Sequence, residues 1–247
     1  MNEFVEPQGP PVPAPKPNPF ERLFGVLFSP GEAMASIASK PTWLIPMVVL
    51  ILVSVGTSIV VKPHIDIESA MRKQFEERNV PQDQQETAIA VATTMQKVSV
   101  YLSVVWVPVS ILIVAAVFLL VFKTFGGTGT FGQFFGVTVW AWIPAALKWI
   151  LFAGILSTKG MVDPTQIPVM IKSSLAFLSS PSHPMMFAFL SSIDIFALWT
   201  LALLVLGYAA SSKFSRTKSA VLVFSVWAIV ILGKVGLASL QTLGGKV

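Results

Sequence analysis

The sequence contains no cysteine and only two histidines. The absence of cysteine excludes disulfides, thiolate nucleophiles, cysteine-ligated iron–sulfur clusters and cysteine-containing zinc sites. Neither His64 nor His183 has a second histidine near it in the chain to form a ligand pair. We therefore expect no metal site and no cofactor.

Charged residues are also scarce. They make up 12% of the 247 residues, whereas a soluble domain carries about 25%. Apolar residues reach 54%, and the mean hydropathy is +0.74. A water-soluble globule of this length needs a denser polar coat, so the composition predicts a polytopic membrane protein.

Five long apolar runs of 20–26 residues account for this hydropathy. At a rise of about 1.5 Å per residue, each is long enough to cross a bilayer. Lipid offers the backbone no hydrogen bonds, so such runs form helices. The sequence therefore predicts an all-α bundle of five transmembrane helices in residues 41–247. The predicted spans are Thr42–Val61, Tyr101–Phe122, Phe131–Leu156, Met185–Tyr208 and Ser219–Leu240.

Some residues within the runs predict local features. Pro108 and Pro144 lie inside spans two and three, where a missing N–H predicts kinks. Trp43, Tyr101 and Tyr208 lie near span ends, where aromatic side chains are typical interfacial anchors.

The basic residues favour a cytoplasmic N-terminus. With that orientation the inside loops, 123–130 and 209–218, hold four Lys or Arg in 18 positions. The outside connections, 62–100 and 157–184, hold seven in 67. Positive charge is enriched on the cytoplasmic side of membrane proteins. We expect a multi-pass protein with its N-terminus in the cytoplasm, in the inner membrane if the host is bacterial.

The N-terminal region divides into a tail and two short helices. Residues 1–19 contain seven prolines, which predicts an extended, disordered tail. Residues 20–40 are then expected to form amphipathic helices in the membrane interface or packed on the bundle. Ser29 with Glu32 predicts a capping box between them. The apolar face of the first helix has helical spacing and comprises Phe20, Leu23, Phe24, Leu27 and Phe28.

The connection between spans one and two is the most polar part of the chain. Residues 66–79 have helical composition, and Pro81 begins a second helix. Residues 64–99 are therefore expected to form a helical hairpin outside the membrane.

We expect neither a dinucleotide site nor a nucleic-acid interface. Gly127–Gly132 matches GxGxxG, but a membrane helix precedes it and Phe152 stands where a dinucleotide site needs an acid. The net charge of +5 is scattered along loops and forms no basic stripe, so we expect no nucleic-acid partner.

Three ionisable residues inside the predicted spans form the candidate site: Asp194, Lys148 and Lys234. Each is costly in lipid, about 2.5–3.5 kcal/mol near the bilayer centre. Counted from the outer ends of their spans, they lie about 13.5, 12 and 9 Å deep. These similar depths predict an ion pair between Asp194 and Lys148, with Lys234 in reach. The pair either fixes helix register or belongs to a proton or substrate pathway, and Lys234 alternatively snorkels outward.

Several segments occur in a recognisable order. Phe20–Phe28 with Ser29-Pro30 precedes span one, and Phe131-Gly132-Gln133 leads to Ile143-Pro144. The clearest segment is residues 192–199 (SIDIFALW) in span four, followed by Trp227 in span five. Over residues 18–240 the chain resembles the YIP domain family, in its bacterial branch. That resemblance implies five membrane helices, a cytosolic N-terminus and no enzymatic activity.

Eukaryotic members of that family are associated with vesicle traffic, membrane shaping and binding of Ypt/Rab GTPases. This chain has a proline tract in place of their acidic Asp-Leu-Tyr-Gly-Pro type segment, so a Rab-type partner is not carried over.

We interpret the chain as a non-enzymatic membrane organiser or scaffold, or a trafficking-type interaction protein. Its expected partners are the lipid bilayer and other membrane proteins. The five apolar residues of the first helix would act as the membrane wedge. The alternative is a small transporter or permease subunit that uses Asp194 and Lys148 as an ion or proton relay.

Overall fold

The computed structural model describes residues 18–77, 79–164 and 167–244; the predicted disordered tail lies almost wholly outside them. The described residues form eleven α-helices and no sheet. They are α1 (Pro19–Phe28), α2 (Pro30–Ser39), α3 (Leu44–Val61), α4 (Ile67–Glu77), α5 (Gln82–Thr124), α6 (Phe131–Ala141), α7 (Ile143–Ser157), α8 (Ile167–Met170), α9 (Pro184–Ser192), α10 (Ile195–Ser212) and α11 (Arg216–Gly244).

Five helical stretches are long and apolar enough to cross a membrane, which confirms the predicted fold class. Three of them lie close to the predicted spans, while the third is two consecutive helices and the fourth starts later than predicted. The stretches are Leu44–His64, Tyr101–Thr124, Phe131–Ser157, Ile195–Ser212 and Arg216–Leu240.

The fourth span differs most from its prediction. The run that begins at Met185 is divided into α9 and α10, and the helix breaks at Ile193 and Asp194. Asp194 has an extended backbone and caps α10, a role for which aspartate is among the preferred residues. A hydropathy profile averages over many residues and does not detect this break, because both α9 and α10 are largely apolar.

The two interior prolines have different effects. Span three is interrupted at Trp142, and Pro144 lies in the first turn of α7, where its missing N–H costs nothing. By contrast, Pro108 lies inside α5, and the helix continues past it. This helix is 43 residues long and runs from the polar hairpin into span two.

The predicted capping box at Ser29 is wrong. Ser29 precedes α2, but its side chain makes no capping hydrogen bond. The same residue also ends α1, and its ψ of 57° differs from the extended value that directs an N-cap side chain toward the helix. A capping box forms instead at Thr130 and Gln133, where Thr130 has a ψ of 160°.

Helix α2 is part of the core rather than a peripheral surface element. Its face of Ala33, Met34, Ile37 and Ala38 is buried and packs on α6 and α10. Gly207 of α10 makes this approach possible, because a Cβ there would collide with Val137 and lie 2.8 Å from Met34 Cε.

The core beside α2 is an aromatic cluster around Tyr208. The rings of Phe118, Phe122 and Phe134 lie 4.7–5.4 Å from the Tyr208 ring, centroid to centroid. The Tyr208 hydroxyl lies 2.8 Å from Thr138 Oγ1. Tyr208 is therefore a wholly buried core residue, and its predicted role as an interfacial anchor is wrong.

Candidate functional site

Asp194 is the centre of the charged site. Its Oδ1 atom accepts hydrogen bonds from the backbone N–H groups of Phe196 and Ala197 at 3.0 and 3.2 Å. Its Oδ2 atom accepts from Lys148 Nζ at 2.9 Å and from the Ser173 hydroxyl. Only 3% of the residue is exposed. Two donors on each oxygen satisfy the carboxylate, so it is stable at this depth without water.

The sequence does not identify Ser173 as a partner of Asp194. It lies in a connection that folds back against the helix break, where Leu175 N–H donates to the Ile193 carbonyl and Ile195 N–H donates to the Ser173 carbonyl. These bonds satisfy backbone groups that the break leaves unpaired, as an apolar environment requires. No periodicity or motif in the segment identifies this contact.

Lys148 and Lys234 have different surroundings. Lys148, on α7, forms the ion pair with Asp194 while 39% of its side chain stays exposed. Lys234, on α11, is exposed and forms neither a hydrogen bond nor an ion pair with any described residue. The structure thus brings together Asp194 and Lys148 and leaves Lys234 outside the pair.

All three charged residues nevertheless lie at one height in the bundle. The height of each charge is counted from the residue at one end of its span. Lys148 lies 17 residues from Phe131, and Asp194 lies 18 residues from Ser212. Lys234 lies 18 residues from Arg216. The three starting points adjoin, since Thr128 N–H donates to the Ser212 carbonyl and Lys218 Nζ to the Phe125 carbonyl. At about 1.5 Å per residue, the charges lie about 26–27 Å from that end.

A cavity of about 760 Å³ begins at this charged level. Its walls come from α5, α7, α10 and α11, together with residues of α9 and the connection that precedes it. Lys148, Asp194, Lys234 and Ser173 line one end, and the rest is mainly apolar. Ile113, Trp149 and Val230 line it while staying about half exposed, so the cavity opens to the outside of the bundle.

Helix α1 carries the second candidate site. Its five predicted apolar residues do not form one face: Leu23 and Leu27 pack against the core. Phe20, Phe24 and Phe28 form an outward ridge with 70%, 61% and 77% of their surface exposed.

A buried arginine fixes α1 in place. Arg22 donates to the Lys40 carbonyl at 3.0 Å and to the Thr42 hydroxyl, and it also contacts Ser36. Burial lowers the pKa of Arg22 from its usual value. These bonds join α1 to the end of α2 and the start of α3, so the ridge has a defined orientation on the bundle.

These features define a multi-pass helical membrane protein with a paired charge beside a cavity and an exposed aromatic ridge at one end. A family model for the Yip1 domain matches residues 24–237, and the chain belongs to that family. This match confirms the resemblance seen in the sequence. Together with the five apolar helices, it also confirms the prediction of a multi-pass integral membrane protein. No curated protein and no solved structure matches the chain.

Proposed function

We propose that the protein is a non-enzymatic membrane organiser whose α1 ridge inserts into the cytoplasmic leaflet as a wedge. The observation that carries this proposal is the exposure of Phe20, Phe24 and Phe28 along one side of an otherwise anchored helix. In water, three adjacent phenylalanines would leave a costly apolar surface. In a membrane interface, each contributes about 1.5–3 kcal/mol of favourable burial.

The anchoring of α1 supports a wedge rather than a flexible tether. Arg22 holds one side of the helix, and a Cβ at Gly25 would lie 3.0 Å from Ala33 Cβ, so α1 and α2 are closely packed. A helix fixed to the bundle transmits the displacement of lipid to the whole protein. Insertion on one leaflet only expands that leaflet, which favours curvature or recruits partners that prefer it.

The proposed wedge requires the α1 end of the bundle to face the cytoplasm. The basic loops beside α1 favour a cytoplasmic side for this end and, in a bacterial host, the inner membrane. Other membrane proteins are the proposed partners, bound through lipid-facing helices and the ridge. We expect neither a nucleic acid nor a Rab-type GTPase among the partners.

Replacing Phe24 and Phe28 together by serine tests the wedge. We expect the variant to remain folded, because both side chains are exposed and lie outside the core. We expect it to lose most of its effect on vesicle shape, because serine contributes little to insertion into lipid. Purified protein is reconstituted into liposomes, and vesicle size and tubulation are measured by electron microscopy.

The matched control is the double variant Phe24→Leu and Phe28→Leu, which keeps apolar surface on the ridge. It is expected to deform vesicles nearly as well as the original protein. Equal deformation by the serine variant and the original protein, at equal incorporation, would contradict the wedge.

The alternative function, a small transporter or permease subunit, is favoured by one observation: the Lys148–Asp194 pair lines a cavity within the spanning helices. Against a relay, both carboxylate oxygens are already occupied by donors. Solute or proton flux into proteoliposomes that falls in Asp194→Asn would favour the transporter over the organiser.

A further inference from the structure

We propose that the cavity binds one anionic phospholipid, with the phosphate between Lys148 and Lys234 and an acyl chain along the apolar wall. The site lies at the opposite end of the spanning helices from the α1 ridge and is independent of the wedge. Its occupant is inferred from the charge, the polarity gradient and the opening of the cavity.

The charge of the cavity favours an anion. Its lining contains two lysines and one aspartate. Asp194 already has four donors, and one of these is Lys148. Lys148 Nζ carries three protons and uses one of them here, and Lys234 has no partner among the described residues. One positive charge is therefore left uncompensated within the spanning helices, where an unpaired charge is costly.

The cavity is charged at one end and apolar along the rest of its length, which matches the headgroup and acyl chain of a lipid. The charged groups are at one end, and Leu204 lies ten residues along α10 from Asp194, about 15 Å deeper. Between them is Thr200, whose buried Oγ1 atom has no hydrogen-bond partner among the described residues. A lipid with its phosphate at the lysines would place ester oxygens near this hydroxyl and its chain beside Leu204.

The opening of the cavity indicates where the occupant comes from. The half-exposed lining residues Ile113, Trp149 and Val230 belong to helices that span the membrane. Helix α11 packs mainly on α9 and α10 and contacts α5 only briefly. The entrance therefore faces lipid, which supplies phospholipids and excludes free water-soluble anions. The volume of about 760 Å³ is within the range of about 300–1,000 Å³ typical of small-molecule sites.

The experiment measures lipid binding to the intact protein in detergent by native mass spectrometry. Phosphatidylglycerol and phosphatidylcholine with identical acyl chains are titrated separately. We expect one phosphatidylglycerol to bind roughly tenfold more tightly than phosphatidylcholine. Both lipids carry the phosphate, but the quaternary ammonium of phosphatidylcholine is repelled by the two lysines. Equal affinity for the two lipids would overturn the proposal.

Two variants and one control locate the site. Lys234→Gln is expected to reduce phosphatidylglycerol affinity roughly tenfold. Phosphatidylcholine affinity is expected to fall less, because removal of the lysine also removes its repulsion of the choline group. Lys123→Gln removes an exposed lysine at the other end of the bundle, and it is expected to change neither affinity. Ala197→Phe fills the cavity without changing charge and is expected to abolish the tight site. An equal loss in Lys123→Gln and Lys234→Gln would overturn the assignment by showing general attraction to basic protein.

A competition arm separates a lipid from a free anion. Excess inorganic phosphate is expected to leave the bound phosphatidylglycerol in place, because it lacks an acyl chain. Displacement of the lipid by phosphate alone would show a simple anion site and overturn the lipid proposal. Each variant is first compared with the original protein by size-exclusion chromatography, and the exposed position of Lys234 makes its substitution structurally mild.

Discussion

At the scale of single residues, Asp194 combines two roles that are usually separate. It caps α10 through Oδ1 and neutralises Lys148 through Oδ2. Asparagine keeps the first role, since it is an equally good N-cap, and loses the second. Substitution therefore separates the local helix cap from the contact between α7 and α10.

The Asp194→Asn variant is expected to be destabilised by about 2 kcal/mol, because it leaves Lys148 without its counter-charge in a spanning helix. The free energy of unfolding of the variant and of the original protein is measured in mixed detergent micelles. The double variant Asp194→Asn with Lys148→Met is expected to regain part of the loss, since the orphaned cation is removed. A single variant as stable as the original protein would refute a stabilising ion pair.

At the scale of elements, the closest packing is between α2, α6 and α10. Met34 of α2 and Val137 of α6 both lie against Gly207, where α10 has no side chain. This contact makes α2 a structural part of the bundle, whereas α1 presents its ridge outward. The two N-terminal helices, similar in length and hydrophobicity, therefore have different roles.

Gly207→Ala is expected to destabilise the protein by about 1–3 kcal/mol, because the added methyl group overpacks a closed contact. Gly233→Ala on α11 is the matched control, since a Cβ there meets nothing within 4 Å. Thermal unfolding of the two variants in the same detergent compares them. Equal stability of both variants would contradict this prediction, because it would show that α2 moves to make room for the added methyl group.

At the scale of the whole molecule, the two ends of the bundle carry different structural features. The end with α1 carries the phenylalanine ridge, and the region near the other end carries the charged level and the polar hairpin. The proposed orientation puts the first end in the cytoplasm.

The absence of cysteine makes this orientation directly measurable. In intact cells, Gln84→Cys is expected to react with a membrane-impermeant maleimide. Lys213→Cys is expected to react only after the membrane is opened. Both positions are exposed in the structure. The opposite labelling pattern would show that the N-terminus is outside.

The sequence predicted the spanning helices well because a bilayer imposes a length and an apolar composition that appear directly in the residues. It placed Asp194 and Lys148 at similar depth by counting residues. It failed where contacts are formed between distant segments. Ser173 comes from an irregular connection, and Tyr208 is buried by aromatic rings from two other helices, α5 and α6. The cavity depends on the spacing between α5 and α11. The split of the α1 residues into ridge and core also needs the position of α2.

The length of α5 has a mechanical consequence. The helix continues for 19 residues from Gln82 to Val100 before its apolar span begins at Tyr101, so its polar arm extends about 28 Å beyond it. Gln96 donates to the Ile65 carbonyl, and this bond joins the arm to the end of the first span. The arm and the second span are one continuous helix, so the arm moves with the span, here called the rod. A tilt of about 10° in the rod would displace the tip of the arm by about 5 Å. A change in bilayer thickness that tilts the rod would therefore move the tip of the arm by a distance larger than a hydrogen bond.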